Sequence, residues 1–273
     1  MECFFINLRQ QTGRREFLER NFADHKRPGW FLNRVEAIDQ EQAAAAPAAA
    51  GAISETERAC FLSHRQALLD ALEAPGHVLI LEDDAMFGPN SCVAIEKALG
   101  MLGDDGWDLA YADLGIFHAP LMAELIHFRR RVESTGDLVL LEPKAMTFAG
   151  ATAYIVNQHA KQTLLELIHA STLHIQYDLF LRELIALGKL RARIIFPFPL
   201  SLSTLADYTQ IQQSGMQAAD WVFNTFRRFI WADRDLGKAC ASLDALPPDF
   251  IDEEAAAIGR IMSAAFSRRL VRN

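Results

Sequence analysis

The clearest chemical demand in this chain comes from Glu82-Asp83-Asp84, three consecutive carboxylates that follow the apolar run Val78-Leu79-Ile80-Leu81. Adjacent acids repel one another and are costly to desolvate unless something neutralises them. A hard divalent cation taking oxygen ligands, Mg2+ or Mn2+, would do so, and such cations are commonly shared with a phosphorylated ligand. An acidic surface turn needs no cation, and the stretch alone allows that reading too.

Four other groups carry chemical potential. Arg9, Arg14 and Arg15 cluster after an N-terminal apolar run, where guanidinium forks suit phosphate oxygens; a solvated basic helix start would look the same. Asp39 closes a second apolar stretch and could accept from a ribose hydroxyl or a base, or cap the next element of the chain. Ser63 and His64 fall on or beside the apolar face of a helical pattern, an odd place for polar side chains unless they are satisfied core groups or face a ligand. Asp178 stands near a helix start, where an acid is commonly a cap.

The elements that must position these groups are legible as hydrophobic periodicity. Phe4-Phe5-Ile6-Asn7-Leu8 reads as a first strand, followed by a helix to about Ala23. Residues 31–39 read as a second strand ending in Asp39. The alanine-rich stretch 41–51 is low-complexity and reads as a surface excursion. Ser54 with Glu57 three residues later is a capping-box signature opening a helix to about Ala74. Pro75-Gly76 ends it and feeds the strand that carries the acids. That strand is apolar throughout, as expected of one buried on both faces, and ligands of open α/β sheets collect at strand carboxyl ends. A helix over about 91–102, a strand from Trp107 to Gly115 and a short strand at 138–141 come next. Residues 116–136 show no clear period and read as a loop or short helix over the site. Thr147 to Val156 is a small-residue turn running into a strand, and small residues there let a backbone approach a ligand closely. Helices at 159–170 and 178–187 and a last strand at 193–197 complete the pattern. Beyond Pro199 the chain turns polar, then helical over about 215–235 and 252–270. The aromatic run at 221–231 with Arg227 and Arg228 reads mainly as core. With Arg268, Arg269 and Arg272 it could instead form a basic, apolar surface for peripheral contact with the inner membrane face.

At 273 residues the chain suits one large α/β domain, or a domain plus a helical appendage. A hydrophobic content of 51% and a charged content of 23% describe an ordinary globular protein, and a net charge of −8 argues against a broad nucleic-acid surface. The four cysteines lie far apart without metal-ligand spacing, so reduced thiols and a cytoplasmic setting are expected. The N-terminus lacks a basic, apolar leader pattern, and no apolar run approaches the ~18 residues of a membrane span.

Several segments, in order, resemble glycosyltransferase family 25, the group of bacterial lipooligosaccharide and collagen galactosyltransferases. Phe5-Ile6-Asn7-Leu8 with Arg14-Arg15 is similar to its opening strand and turn, and Ala37-Ile38-Asp39 to its A-I-D. Glu57-Arg58-Ala59-Cys60-Phe61-Leu62-Ser63-His64 is similar to its E-x-G/A-C-x-x-S-H helix, with Ala59 where the family usually has glycine. Leu79-Ile80-Leu81-Glu82-Asp83-Asp84 resembles its L-I-L-E-D-D almost letter for letter. Trp107-Asp108-Leu109, Ala151 to Val156 and Tyr177-Asp178 resemble later motifs. Singly each is weak; S-H paired with E-D-D at this separation is specific. The resemblance spans about residues 3–205.

That resemblance implies a GT-A-like α/β domain over 1–205, a C-terminal helical extension over 206–273, and transfer of a hexose, most often galactose, from a UDP-sugar to a saccharide or glycolipid acceptor such as lipopolysaccharide. The acids become a metal site; alternation along an extended chain puts Glu82 and Asp84 on one side, making them the expected ligands of Mn2+ or Mg2+. Asn7, Arg9, Arg14, Arg15, Asp39, Ser63, His64 and Asp83 become donor contacts. Inversion at the sugar calls for one carboxylate base, with Asp178 first and Asp113 second. A metal-dependent phosphoryl or nucleotidyl transferase, and a non-catalytic sugar-nucleotide-binding protein on the same fold, remain open at this point.

Overall fold

The computed structural model describes residues 1–45, 53–207, 218–244 and 253–265. In chain order the elements are β1 (Glu2–Asn7), α1 (Thr12–His25), β2 (Phe31–Glu36), α2 (Gln40–Ala45), α3 (Glu55–Asp70), β3 (Val78–Glu82), β4 (Ala85–Met86), α4 (Ser91–Leu102), β5 (Leu109–Ile116), α5 (Ala119–Thr135), β6 (Val139–Leu141), β7 (Phe148–Val156), α6 (Lys161–His169), α7 (Tyr177–Ala186), β8 (Ala192–Phe196), β9 (Ser201–Leu202), α8 (Ala218–Ile230), α9 (Leu236–Asp244) and α10 (Glu253–Ala265).

Among the described residues one sheet of seven strands dominates, ordered β2-β1-β3-β7-β5-β8-β6. The pairs β1/β2, β1/β3 and β5/β8 are parallel, whereas β7 runs against β3 and β5, and β6 against β8. The mixed direction means that the start of β7 lies at the same edge as the ends of β1 and β3. An α/β fold with helices on both faces explains why β1 is apolar from Cys3 to Ile6 and β3 from Val78 to Leu81. In β1, Phe4 and Ile6 pack into one hydrophobic cluster, and Cys3 and Phe5 into the other. In β3, Val78 and Ile80 join the first cluster, and Leu79 and Leu81 the second. The two-residue period thus feeds two cores, and each fully buried Leu or Phe contributes about 1.5–3 kcal/mol.

Helix α3 starts as its sequence demands. The Ser54 hydroxyl accepts the Glu57 N–H, and the Glu57 carboxylate accepts the Ser54 N–H, which satisfies two donors that a helix start leaves free. Its buried face carries Phe61, Leu62, Ser63, His64, Ala67 and Leu68.

Three expectations need correction. Residues 119–135 form a full helix, α5, packed beside α8, rather than a loop or short helix over the site. The basic triplet hid its period, because Arg129 is buried and donates to the Trp231 and Ala232 carbonyls. The second strand ends at Glu36, three residues short of Asp39. In the polar segment after Pro199, Ser201 and Ser203 are buried, and β9 pairs antiparallel with β4 directly after the acids. The chain past residue 205 is not wholly an appendage either, since α8 packs on β5 and β9 and buries Phe226, Ile230 and the Arg227 and Arg228 side chains. Their inward orientation removes both arginines from any basic membrane-facing surface. Arg268, Arg269 and Arg272, and residues 46–52 of the alanine-rich stretch, lie outside the described residues. No described helix is long and apolar enough to cross a membrane.

Candidate active site

The three acids sit where β3 leaves the sheet. Glu82 is its last residue; its Oε1 lies 3.3 Å from His64 Nε2, and its Oε2 accepts the Thr152 hydroxyl at 3.1 Å. Because the strand ends there, two-residue alternation stops, and the next two acids turn toward α1. Asp83 accepts from Asn7 Nδ2 at 2.8 Å and from Arg14 at 2.9 Å. Asp84 Oδ2 lies 3.4 Å from the same guanidinium nitrogen, while Asp84 Oδ1 is buried with no hydrogen-bond partner among the described residues. The Asp84 backbone is pinned by the Ser203 N–H at 2.8 Å, and Arg14 is held by the Leu205 carbonyl at 2.7 Å.

The electrostatics separate the acids. Burial, then the Glu82 charge, push the Asp84 carboxyl up to about 7 despite Arg14. Burial also raises Asp83, with Asn7 and Arg14 offsetting part of the effect. Glu82 goes the other way: burial opposes its charge, but the His64 hydrogen bond and charge, Arg227 and Thr152 bring it below the usual range. Asp84 is therefore the acid most in need of a cation, and its free, hard oxygen fits Mg2+ or Mn2+.

Two cavities meet at these residues. The larger, of about 690 Å³, runs along Gln10, Arg14, Ile38, Asp39 and Ser63. The smaller, of about 330 Å³, runs along Phe117, Gly150, Thr152, Asp178 and Arg227. Cys60, His64, Glu82 and Asp84 line both, whereas Asp83 lines only the larger. Their position at the carboxyl ends of β1 and β3 is the usual ligand edge of an open α/β sheet.

His64 is locked rather than mobile. Its ring stacks on Tyr177 at 4.2 Å between centroids, and Nδ1 lies 3.1 Å from the Tyr154 hydroxyl, which in turn lies 2.9 Å from the Tyr177 hydroxyl. The Ser63 hydroxyl donates to the Ala59 carbonyl and accepts the Ile38 N–H, tying α3 to the chain after β2. Asp39 caps α2 by accepting the Gln42 N–H at 2.8 Å, and it also lines the larger cavity. Asp178 accepts the Gly150 N–H at 2.6 Å through one oxygen and lines the smaller cavity. Gly150 has φ +91°, a conformation that suits glycine and aims this N–H at the acid.

Three candidates fall elsewhere. Arg9 is 82% exposed and pairs with Glu36, and Arg15 pairs with Glu19 one helical turn away; neither lines either of these two cavities. Asp113 is fully buried and both its oxygens are bound by Arg227, so it is not placed to take a proton from an acceptor. The pairing of β5 with β7 shifts register on either side of it. Sequence reasoning missed Arg227 as a site residue. It donates to Asp113 and to the Thr152 hydroxyl, and burial lowers its pKa to about 10 against the pull of Asp84 and Glu82. Only a basic residue inside an amphipathic aromatic helix hinted at it. By hydrophobic pattern Thr152, Tyr154 and Tyr177 are strand and helix residues.

Residues 1–181 match the family model described as Glycosyltransferase family 25 (LPS biosynthesis protein). No curated protein matches the chain.

Proposed function

Because the chain belongs to glycosyltransferase family 25 and is thereby a glycosyltransferase of lipopolysaccharide biosynthesis, with a nucleotide-sugar donor and a saccharide acceptor, we propose that it moves a hexose, galactose first among the candidates, from a UDP-sugar with inversion. The observation that carries this reading is the meeting of two cavities at Glu82 and Asp84. A nucleotide diphosphate fits the larger one, and a saccharide hydroxyl approaches through the smaller. Both volumes lie within or at the edge of the range usual for small-molecule sites. Family membership favours glycosyl over phosphoryl or nucleotidyl transfer, and the intact acids favour catalysis over binding alone.

Each residue then has a task. Arg14 reaches Asp83 and Asp84 from the donor side, and Asn7 holds Asp83, so the acids keep their geometry before donor arrives. Asp39 lines the larger cavity at a position suited to a uridine contact. Glu82 and Asp84 are the residues that would hold Mn2+ or Mg2+, which when bound supplies positive charge to the donor diphosphate and the departing UDP. Asp178, in the smaller cavity, takes the proton of the acceptor hydroxyl as that oxygen attacks the anomeric carbon and the bond to UDP breaks on the opposite face. The Gly150 N–H fixes one Asp178 oxygen and leaves the other outside that bond.

The test is UDP release from a panel of UDP-hexoses with Mn2+, with and without a lipooligosaccharide acceptor. Asp178→Asn should lose about 10²–10⁴-fold in transfer while still binding donor, and Asp84→Ala should lose metal-dependent donor binding. If no UDP-sugar is bound or hydrolysed and Asp84→Ala changes nothing, the reading fails.

A further inference from the structure

We propose that Cys60, His64 and Glu82 form a second, softer metal site that binds Zn2+ and, in doing so, withdraws Glu82 from the carboxylate set beside it. Cys60 and His64 are four residues apart on α3, so successive turns present both toward the end of β3. The Cys60 sulfur, a His64 ring nitrogen and a Glu82 oxygen all lie within 4.8 Å of one another. A thiolate, an imidazole and a carboxylate are the donor types of zinc sites with three protein ligands and one open position. All three residues line both cavities, which leaves an approach for the ion and room for a fourth ligand.

The outer contacts are suited to this use. Ligating histidines usually engage a partner through their other ring nitrogen, which fixes the ring. His64 has this arrangement through Tyr154, and its ring is further held by the stack on Tyr177. Without metal, the groups are satisfied when Tyr177 donates to Tyr154, Tyr154 donates to Nδ1, and Nε2–H donates to Glu82. With metal on Nε2, the imidazole proton resides on Nδ1 and is donated to Tyr154, whose hydroxyl turns to donate to Tyr177. On binding, the Cys60 thiol proton goes to solvent and the thiolate takes its place on the metal. The tyrosine pair serves both states by rotating its hydroxyls. The predicted effect on activity, inhibition by Zn2+ relieved by a chelator, rests on the transferase reading; the site itself does not.

Co2+ tests the site without reference to activity, because its spectrum reports thiolate ligation and coordination number. Metal-stripped, full-length protein titrated with Co2+ should develop a near-ultraviolet thiolate-to-cobalt charge-transfer band and the intense visible absorption of a four-coordinate ion, saturating at one equivalent and displaced by Zn2+. Cys60→Ser should abolish the charge-transfer band, and Cys240→Ser, at an exposed cysteine, should leave it intact. Tyr154→Phe should weaken binding by about 10–100-fold. Weak visible absorption without a charge-transfer band in the unmodified protein, or a band that survives Cys60→Ser, would overturn the proposal. Should Cys60→Ser not fold, alkylation of the unmodified protein decides: Zn2+ should slow labelling of Cys60 and not of Cys240, and equal labelling with and without Zn2+ counts against the site. None of these readouts depends on glycosyl transfer, so failure here and failure of the enzymatic reading remain distinguishable.

Discussion

Replacing Arg227 with methionine isolates the contribution of α8 to the site. The substitution keeps an unbranched, apolar stem, shorter than that of arginine, and removes the charge. It leaves Asp113, fully buried in β5, without the guanidinium that binds both its oxygens, and leaves the Thr152 hydroxyl without a donor. Breaking a buried pair by deleting one partner typically costs about 3–5 kcal/mol, because the remaining charge is neither solvated nor compensated. For a chain of this size about 2–4 °C of melting temperature accompanies each kcal/mol, so Arg227→Met should melt roughly 10 °C below the unmodified protein. The companion variant Arg227→Met/Asp113→Asn removes both charges and should recover much of the loss, with a coupling of about 2 kcal/mol or more in a double-mutant cycle. Urea unfolding followed by circular dichroism, with calorimetry for the melting point, measures both. A single variant within about 1 kcal/mol of the unmodified protein, or a double variant whose loss equals the sum of the two single losses, would refute the reasoning and with it the role of α8 as part of the site.

Three further outcomes are expected. An Asp84 carboxyl raised to about 7 when folded, against about 3.9 when unfolded, stabilises the metal-free protein below the unfolded value and loses that contribution as pH rises through about 7; thermal melts from about pH 4 to 8 should fall less steeply for Asp84→Asn, and saturating Mn2+ should flatten the unmodified curve. Arg14→Ala should raise the donor KM several-fold, whereas Arg9→Ala and Arg15→Ala, which break solvent-exposed pairs worth about 0–1 kcal/mol, should leave it unchanged in the same UDP-release assay. Ser54→Ala removes the capping box of α3 and should cost about 1 kcal/mol in urea unfolding, with no change in the pH profile of activity.

Local pattern carried much of this molecule. Alternation in β1 and β3 identifies strands apolar on both faces, because a two-residue period with no polar position requires a core on each side of the sheet. The Ser54–Glu57 pair locates the start of α3, since the capping interaction is closed within four residues. The acidic run, the paired Ser63-His64 and Asp178 stand out for the same reason: their cost of burial is readable without knowing what surrounds them. Tertiary structure decided the rest. Asp83 and Asp84 share Arg14 because the strand stops at Glu82, and strand ends depend on partners, not on local period. Asp113 is tied up in an ion pair because α8, whose Arg227 lies 114 residues away in the chain, packs on β5. Arg227 reads as part of a basic aromatic helix until that helix is placed over β5. A charge next to aromatics says nothing about direction; the acids of a distant strand set which way it points.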